Sequence, residues 1–351
     1  MNSRSGKDVE PAPAGPPGSR RRAAARNAVF GYLLAAVFLV WVFHDIQFGR
    51  LFENVARLSW PLVALALLFD VLSYICAGLR WHLLLKPVGR VGFLRTTQAI
   101  YAGLFINEVL PMRVGELARA FLVSGWLRAD VLRVVPSMAL ERLSEGFWLA
   151  VGIGLTALFV PLPKNLVRSA DAVGAIVLAG VAAFVLYVLW RRRRPVLAST
   201  PPPPPPRNLW DRVRTAVQDL GRGFGEIGLS WNTAVAFGAT FPIFAFQALS
   251  FWLVMAAYHI PLSFWAGAAV FLIIHFGTAL PNAPANVGAY QFFCVLGLRL
   301  FAVDKTLAAG FSVVVFALLT LPLLVIGFVA LGQSGLSLDS LRDRLRGPSV
   351  K

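Results

Sequence analysis

Apolar residues occupy this chain in long blocks separated by short polar and basic stretches. Predominantly apolar stretches fall at 27–43, 60–79, 136–160, 171–190, 233–258 and 306–331, each of a length that crosses a hydrocarbon core as a helix. Two further apolar regions, 93–127 and 264–301, are broken near their middles by proline and polar residues. The pattern predicts an all-α polytopic integral membrane protein with about six full spans and two re-entrant or broken-helix hairpins.

The hairpin expectation rests on length. In the first interrupted region the arms 96–110 and 114–127 are 15 and 14 residues long. At 1.5 Å per residue they reach roughly 21–23 Å, short of a core about 30 Å thick. Region 264–301 divides around 281–286, with longer arms that nearly span. One hairpin enters from each side and the flanking spans run in opposite directions, as in an inverted repeat whose broken helices meet near the midplane. Leu110-Pro111…Val114-Gly115 and Leu280-Pro281…Val287-Gly288 echo one another weakly.

Composition agrees with the pattern. The chain has 351 residues, 57% hydrophobic and 14% charged, against about 25% charged for soluble domains. A secreted disulfide scaffold, a disordered regulator and a DNA-binding domain are therefore excluded. Cys76 and Cys294 lie in apolar stretches and read as small hydrophobes. The net charge of +16 comes from 33 Lys and Arg, and topology explains it. With a cytoplasmic N-terminus and both hairpins returning to their side of entry, basic residues split 24 to 5 in favour of the cytoplasmic face, Arg80 among the 24. Nucleic-acid binding is then not needed to account for the arginines.

Five segments result. Residues 1–26 form a disordered basic cytoplasmic tail, and 27–190 the first membrane half with hairpin 93–127. An Arg/Pro-rich cytoplasmic linker follows at 191–231, of semi-rigid polyproline type around its proline run. The second membrane half, 232–331, holds hairpin 264–301, and 332–351 is a basic cytoplasmic tail. The first span reads as uncleaved, since no clear small-residue cleavage site follows Phe43. The chain is expected in the inner (cytoplasmic) membrane with both termini cytoplasmic.

Chemistry concentrates at the first hairpin, in Asn107-Glu108-Val109-Leu110-Pro111-Met112-Arg113-Val114-Gly115-Glu116-Leu117-Ala118-Arg119. Pro111 lacks an N–H and Gly115 tolerates close approach, so the turn leaves backbone groups that need partners. Arg113, Glu116 and Arg119 share a helical face, where they can pair internally. Each isolated charge at the centre of a lipid-facing helix costs about 2.5–3.5 kcal/mol, so the stripe should face a bundle interior or wet cavity. Glu141 and Glu145, flanking Arg142, are four apart and repel unless a cation lies between them; Arg113, Arg119 or Arg142 can serve. Asp70 is a lone acid in mid-span, expected to bond a neighbour or stay protonated. Asn282, Asn286, Tyr290 and Gln291 offer neutral polar groups around Pro284. A structural alternative remains for each group: helix ends with snorkelling charges, capping and packing.

Enzyme signatures are lacking. The four histidines lie in separate segments without His-x-x-x-His spacing, and there is no Gly-x-Ser-x-Gly elbow and no Walker loop. No cofactor and no metal is expected.

Several motifs together resemble the transmembrane region of lysylphosphatidylglycerol synthases, in particular its stand-alone, flippase-like members. They are Arg80-Trp81…Leu84-Leu85, Asn107-x-x-Leu110-Pro111-x-Arg113-x-Gly115-Glu116-x-x-Arg119, Glu141-Arg142 and Pro281-x-x-Pro284-x-x-x-Gly288. In the bifunctional relatives this region moves aminoacylated phospholipid while a separate domain makes it. The present chain ends about 20 residues after its last span, so aminoacyl transfer is expected to be absent. Where such proteins commonly read Pro-Gly-x-x-Gly-x-x-Glu, Ala285 replaces the glycine and Gln291 the acid, and Glu145 stands where Asp is frequent. Other relatives belong to hopanoid or polyprenyl-linked sugar pathways, so the lipid is not named by the family. The expectation is a non-enzymatic, flippase-like protein that translocates or binds a lipid with a polar, anionic headgroup. Its binding set is Asn107, Glu108, Pro111, Arg113, Gly115, Glu116, Arg119, Glu141, Arg142, Glu145, Pro281, Asn282, Pro284, Asn286, Gly288 and Gln291. The alternatives are a non-catalytic membrane partner of a lipid-modifying enzyme or glycosyltransferase, and an intramembrane enzyme using Glu141 and Glu145.

Overall fold

A computed structural model describes residues 33, 35–44, 55–110, 114–162, 164–193, 209–279 and 283–334. A helical stretch at 35–43 comes first. The helices after it are α1 (Trp60–Leu85), α2 (Phe93–Val109), α3 (Val114–Leu127), α4 (Val131–Ala157), α5 (Lys164–Arg193) and α6 (Leu209–Ile227). They continue with α7 (Trp231–Gly238), α8 (Thr240–Ala257), α9 (Phe264–Gly277), α10 (Ala289–Arg299) and α11 (Lys305–Gln333), and a 3-10 turn at Pro284–Asn286. No strand occurs among the described residues. The protein is an all-helical membrane protein, and among the described residues four segments are long and apolar enough to cross a bilayer: Trp60–Leu85, Asp171–Arg191, Trp231–Ala257 and Lys305–Gln333. Helix α4 has the length, with 27 residues, but carries Arg133, Glu141, Arg142 and Glu145.

Local signals explain the helix starts. Asp130 accepts from the Leu132 N–H to open α4, and Asp304 accepts from the Thr306 and Leu307 N–H groups to open α11. Ser230 and Ser263 cap α7 and α9 in the same way. A single residue, Ala239, separates α7 from α8.

Both interrupted regions are helix pairs. The arms of the first are 17 and 14 residues, about 25 and 21 Å long. The second departs from expectation: its arms are only 14 and 11 residues. The helices stop at Gly277 and resume only at Ala289, and the expected break holds a 3-10 turn with Ala285 and Asn286 at positive φ (56° and 53°). The linker also differs from a polyproline spacer at its ends, since Arg191 to Arg193 continue α5 and Leu209 to Ile227 fold as α6 against α4.

One apolar core gathers α1, α4 and α8 to α11 around Phe251, Phe311, Met255 and Leu298; a second joins α1 to α4 around Trp81, Leu85 and Val123. Segment 35–43 lies against the second hairpin, where Phe38 stacks on Phe292 at 4.5 Å. The 3-10 turn of the second hairpin packs against α2 of the first. Between these elements lies a cavity of about 540 Å³.

Candidate functional site

The first hairpin closes by backbone contact. A Cβ on Gly115 would run into the Gly103 carbonyl of α2, so only glycine lets the arms approach this closely. Asn107 Oδ1 accepts the Gly115 N–H at 2.7 Å and satisfies one exposed donor of the α3 start. Asn107 is thus the clasp of the hairpin as well as part of the cavity wall.

This closure brings α3 beside α4 and α1, and six charges form one chain. Arg119 Nη1 donates to Glu141 Oε1 at 3.0 Å, and Arg80 Nη2 reaches the same oxygen at 2.8 Å. Arg80 Nη2 also meets Glu145 Oε1 at 2.7 Å. Glu145 Oε2 pairs with Arg142 Nη1, whose Nη2 donates to Glu116 Oε1 at 2.8 Å. Among the described residues, three arginines meet three glutamates. One end is dry, with Arg80 and Glu141 each 2% exposed, whereas the Arg142 side chain at the other end is 46% exposed. Arg80 Nη1 further donates to Thr240 Oγ1 at 3.3 Å, and Thr240 bonds Ser144.

Arg80 is the residue the sequence reading did not assign. Counted there among surface charges at the cytoplasmic face, it is instead the buried cation between Glu141 and Glu145. A signal existed: Asp70, Tyr74, Ala77 and Arg80 recur at helical spacing along α1, and all four line the cavity. The stripe of Glu116 and Arg119 does face the interior, but Arg119 bonds Glu141 and Glu116 bonds Arg142, each across to α4.

Arg119 is only 5% exposed, and its guanidinium carbon stands 4.8 Å from the centre of the Trp81 ring. Trp81 is itself fixed by donating to Ser137 Oγ at 3.0 Å. Yet Arg119 Nε and Nη2 are buried with no hydrogen-bond partner, as is Arg80 Nε. Among the described residues of the ion chain, three guanidinium nitrogens are left over, against one glutamate oxygen, Glu141 Oε2.

Of the expected binding residues, the cavity wall includes Asn107, Glu108, Gly115, Glu116, Arg119, Glu141, Arg142, Glu145 and Asn286. Pro284, Gly288 and Gln291 are not on that wall. Gln291 is buried and turns back on its own helix, accepting the Gly288 N–H at 2.7 Å, and Gly288 adopts φ 85° against the Ala35 backbone. Pro111, Arg113, Pro281 and Asn282 lie outside the described residues. Asp70, expected to bond a neighbour or stay protonated, has no bonded neighbour among the described side chains; Ser73 Oγ donates only to its main-chain carbonyl.

These features define a helical membrane protein built around a charged internal cavity. The sequence model of the lysylphosphatidylglycerol synthase TM region matches residues 28–327, and the chain belongs to that family. No curated protein and no solved structure matches it.

Proposed function

We propose that this chain is a non-enzymatic, flippase-like protein that carries a lipid with an anionic phosphate headgroup through its central cavity, in the cytoplasmic membrane with both termini cytoplasmic. About six spans and two hairpins in an inverted repeat accompany this reading, supported by the charge split, 23 to 5 once Arg80 is counted as buried, and the two helix pairs. One observation carries it. Arg119, nearly dry and on the cavity wall, holds two nitrogens, Nε and Nη2, whose N–H groups no described protein group takes up. A guanidinium uses one edge for Glu141 and presents the other as a fork suited to two phosphate oxygens. Unmade buried donors are costly, so an incoming phosphate gains the bonds that the apo cavity lacks.

The test must separate binding from charge pairing. Arg119→Gln alone removes one of the two buried arginines that Glu141 bonds and leaves it with Arg80 only, so loss of folded protein would be uninformative. The double variant Arg119→Gln/Glu141→Gln removes both charges and should fold. Reconstituted in phosphatidylcholine vesicles with a trace of NBD-labelled phosphatidylglycerol, it should lose the dithionite-detected movement expected of the wild type. Arg119→Lys should rescue poorly. Wild-type movement in the double variant would overturn the binding role.

A further inference from the structure

The cavity has a second polar level that the ion chain does not reach. Asp70 lies ten residues before Arg80 on α1, about 15 Å along the helix axis. Glu108 lies five residues beyond Gly103, which faces Arg119, and so about 7 Å nearer the hairpin tip. Both line the cavity. Asp70 is 4% exposed, and no described side chain bonds its carboxyl. Glu108 Oε2 is buried without a partner, as is the Tyr101 hydroxyl, whose ring lies 5.6 Å from that of Tyr74.

The contrast between the levels is chemical. Each glutamate of the lower chain touches an arginine, so every carboxylate there can stay ionised. The upper level holds two carboxyls, and no described basic side chain forms an ion pair with either. An unpaired buried carboxylate in membrane surroundings is strongly disfavoured, and the neutral acid is the form that needs no counter-charge. The ionisable groups facing it are Tyr74 on α1, Tyr101 on α2, Tyr290 on α10 and His275 on α9. Helices α7 and α8, packed on α1, carry no ionisable side chain, and α11 carries only Lys305 at its first position. The charges of α3 and α4 that line the cavity belong to the lower chain.

We propose that Asp70, together with Glu108, is a proton-binding site in the same cavity, whose loading and release accompany passage of the headgroup. A carboxylate oxygen takes a proton from cavity water when the cavity opens to one side, forming an O–H bond. It returns the proton to water when the cavity opens to the other. The coupling, though not the proton site, rests on the transport reading above. A small cation such as sodium shares the same chemistry, and the test distinguishes the two.

The full chain in vesicles answers this twice. Infrared pH-difference spectra should contain a neutral carboxylic acid C=O band at neutral pH that is diminished in Asp70→Asn and altered in Glu108→Gln. Spectra of both variants identical to wild type would overturn the site. In the second arm, an imposed pH gradient should change the initial rate of NBD-phosphatidylglycerol movement severalfold in the wild type and not in Asp70→Asn. Insensitivity of the wild type, or a response to sodium at fixed pH in its place, overturns proton coupling. If no lipid moves at all, the transport reading and the coupling fall together, while the infrared band alone decides the proton site.

Discussion

The two hairpins solve one problem with different means. Each must end a helix inside the protein and satisfy the backbone groups that the break exposes. The first does so beside a dense set of charges: Asn107 clasps Gly115, and α3 delivers Glu116 and Arg119 to α4. The second has no Asp, Glu, Lys or Arg from Phe264 through Leu298. It turns on positive-φ residues and a side-chain bond from Gly288 to Gln291, and it is braced by Ala35. Chemistry is thus placed on one hairpin while the other supplies wall and geometry. Their tolerance to substitution should differ accordingly, with charge changes damaging the first and backbone changes the second.

The largest effect should come at the charge that ties the first hairpin to its surroundings. Arg80 serves two glutamates with one nitrogen, so Arg80→Gln leaves Glu141 with Arg119 alone and Glu145 with Arg142 alone. Removing one partner of a buried network costs about 3–5 kcal/mol. Thermal unfolding in detergent should shift sharply downward, and Arg80→Gln/Glu141→Gln should recover part of the loss. An unchanged melting temperature in the single variant would mean that Arg80 is not a structural counter-ion.

How this division showed in the sequence is uneven for physical reasons. Apolar blocks and prolines give a strong periodic signal, so the long helices and both breaks were legible, and Glu141 and Glu145 announced a missing cation by their spacing. Which cation it was depends on the rotation of α1. An arginine near a helix end looks the same whether it snorkels to the interface or points inward. Gln291 and Gly288 likewise looked like cavity groups, because their capping bond arises only from the geometry of the 3-10 turn. The arms of the second hairpin were overestimated because Thr278, Ala279, Val287 and Gly288, outside the expected break at 281–286, leave the helix as caps and turn.

An intermediate effect compares the hairpins by one substitution, glycine to alanine. At Gly288 the new methyl meets both a φ of 85° and the Ala35 backbone. Left-handed backbone costs about 1–2 kcal/mol and overpacking about 1–3 kcal/mol, so the total should be roughly 3 kcal/mol. At Gly115 no positive φ is involved, but the methyl meets the Gly103 carbonyl and Asn107 Oδ1, and the loss should be about 1–3 kcal/mol. Melting temperatures of the two variants should fall in that order. The reverse order would mean that segment 35–43 yields easily and does not brace the second hairpin.

The smallest effect has the opposite sign and tests the turn itself. Ala285 holds φ 56° and ψ 11°, and its neighbour Asn286 is also left-handed at φ 53°. Asparagine accepts this conformation because its short polar side chain bonds locally, whereas alanine has only a methyl that crowds the following carbonyl. Ala285→Gly removes that crowding, worth about 1–2 kcal/mol, but adds the backbone entropy of glycine, about 0.5–1 kcal/mol. The variant should therefore be more stable by roughly 0.5–1 kcal/mol, seen as a small rise in melting temperature. Ala285 also lines the cavity, so a strained turn there fits a wall that must rearrange as a headgroup passes. If the strain is used in that way, Ala285→Gly should alter the rate of labelled-lipid movement along with the rise in stability. A more stable variant with unchanged movement would confine the alanine to a local structural defect. A less stable one would mean that the left-handed turn is not populated, and with it the geometry assigned to the second hairpin would fail.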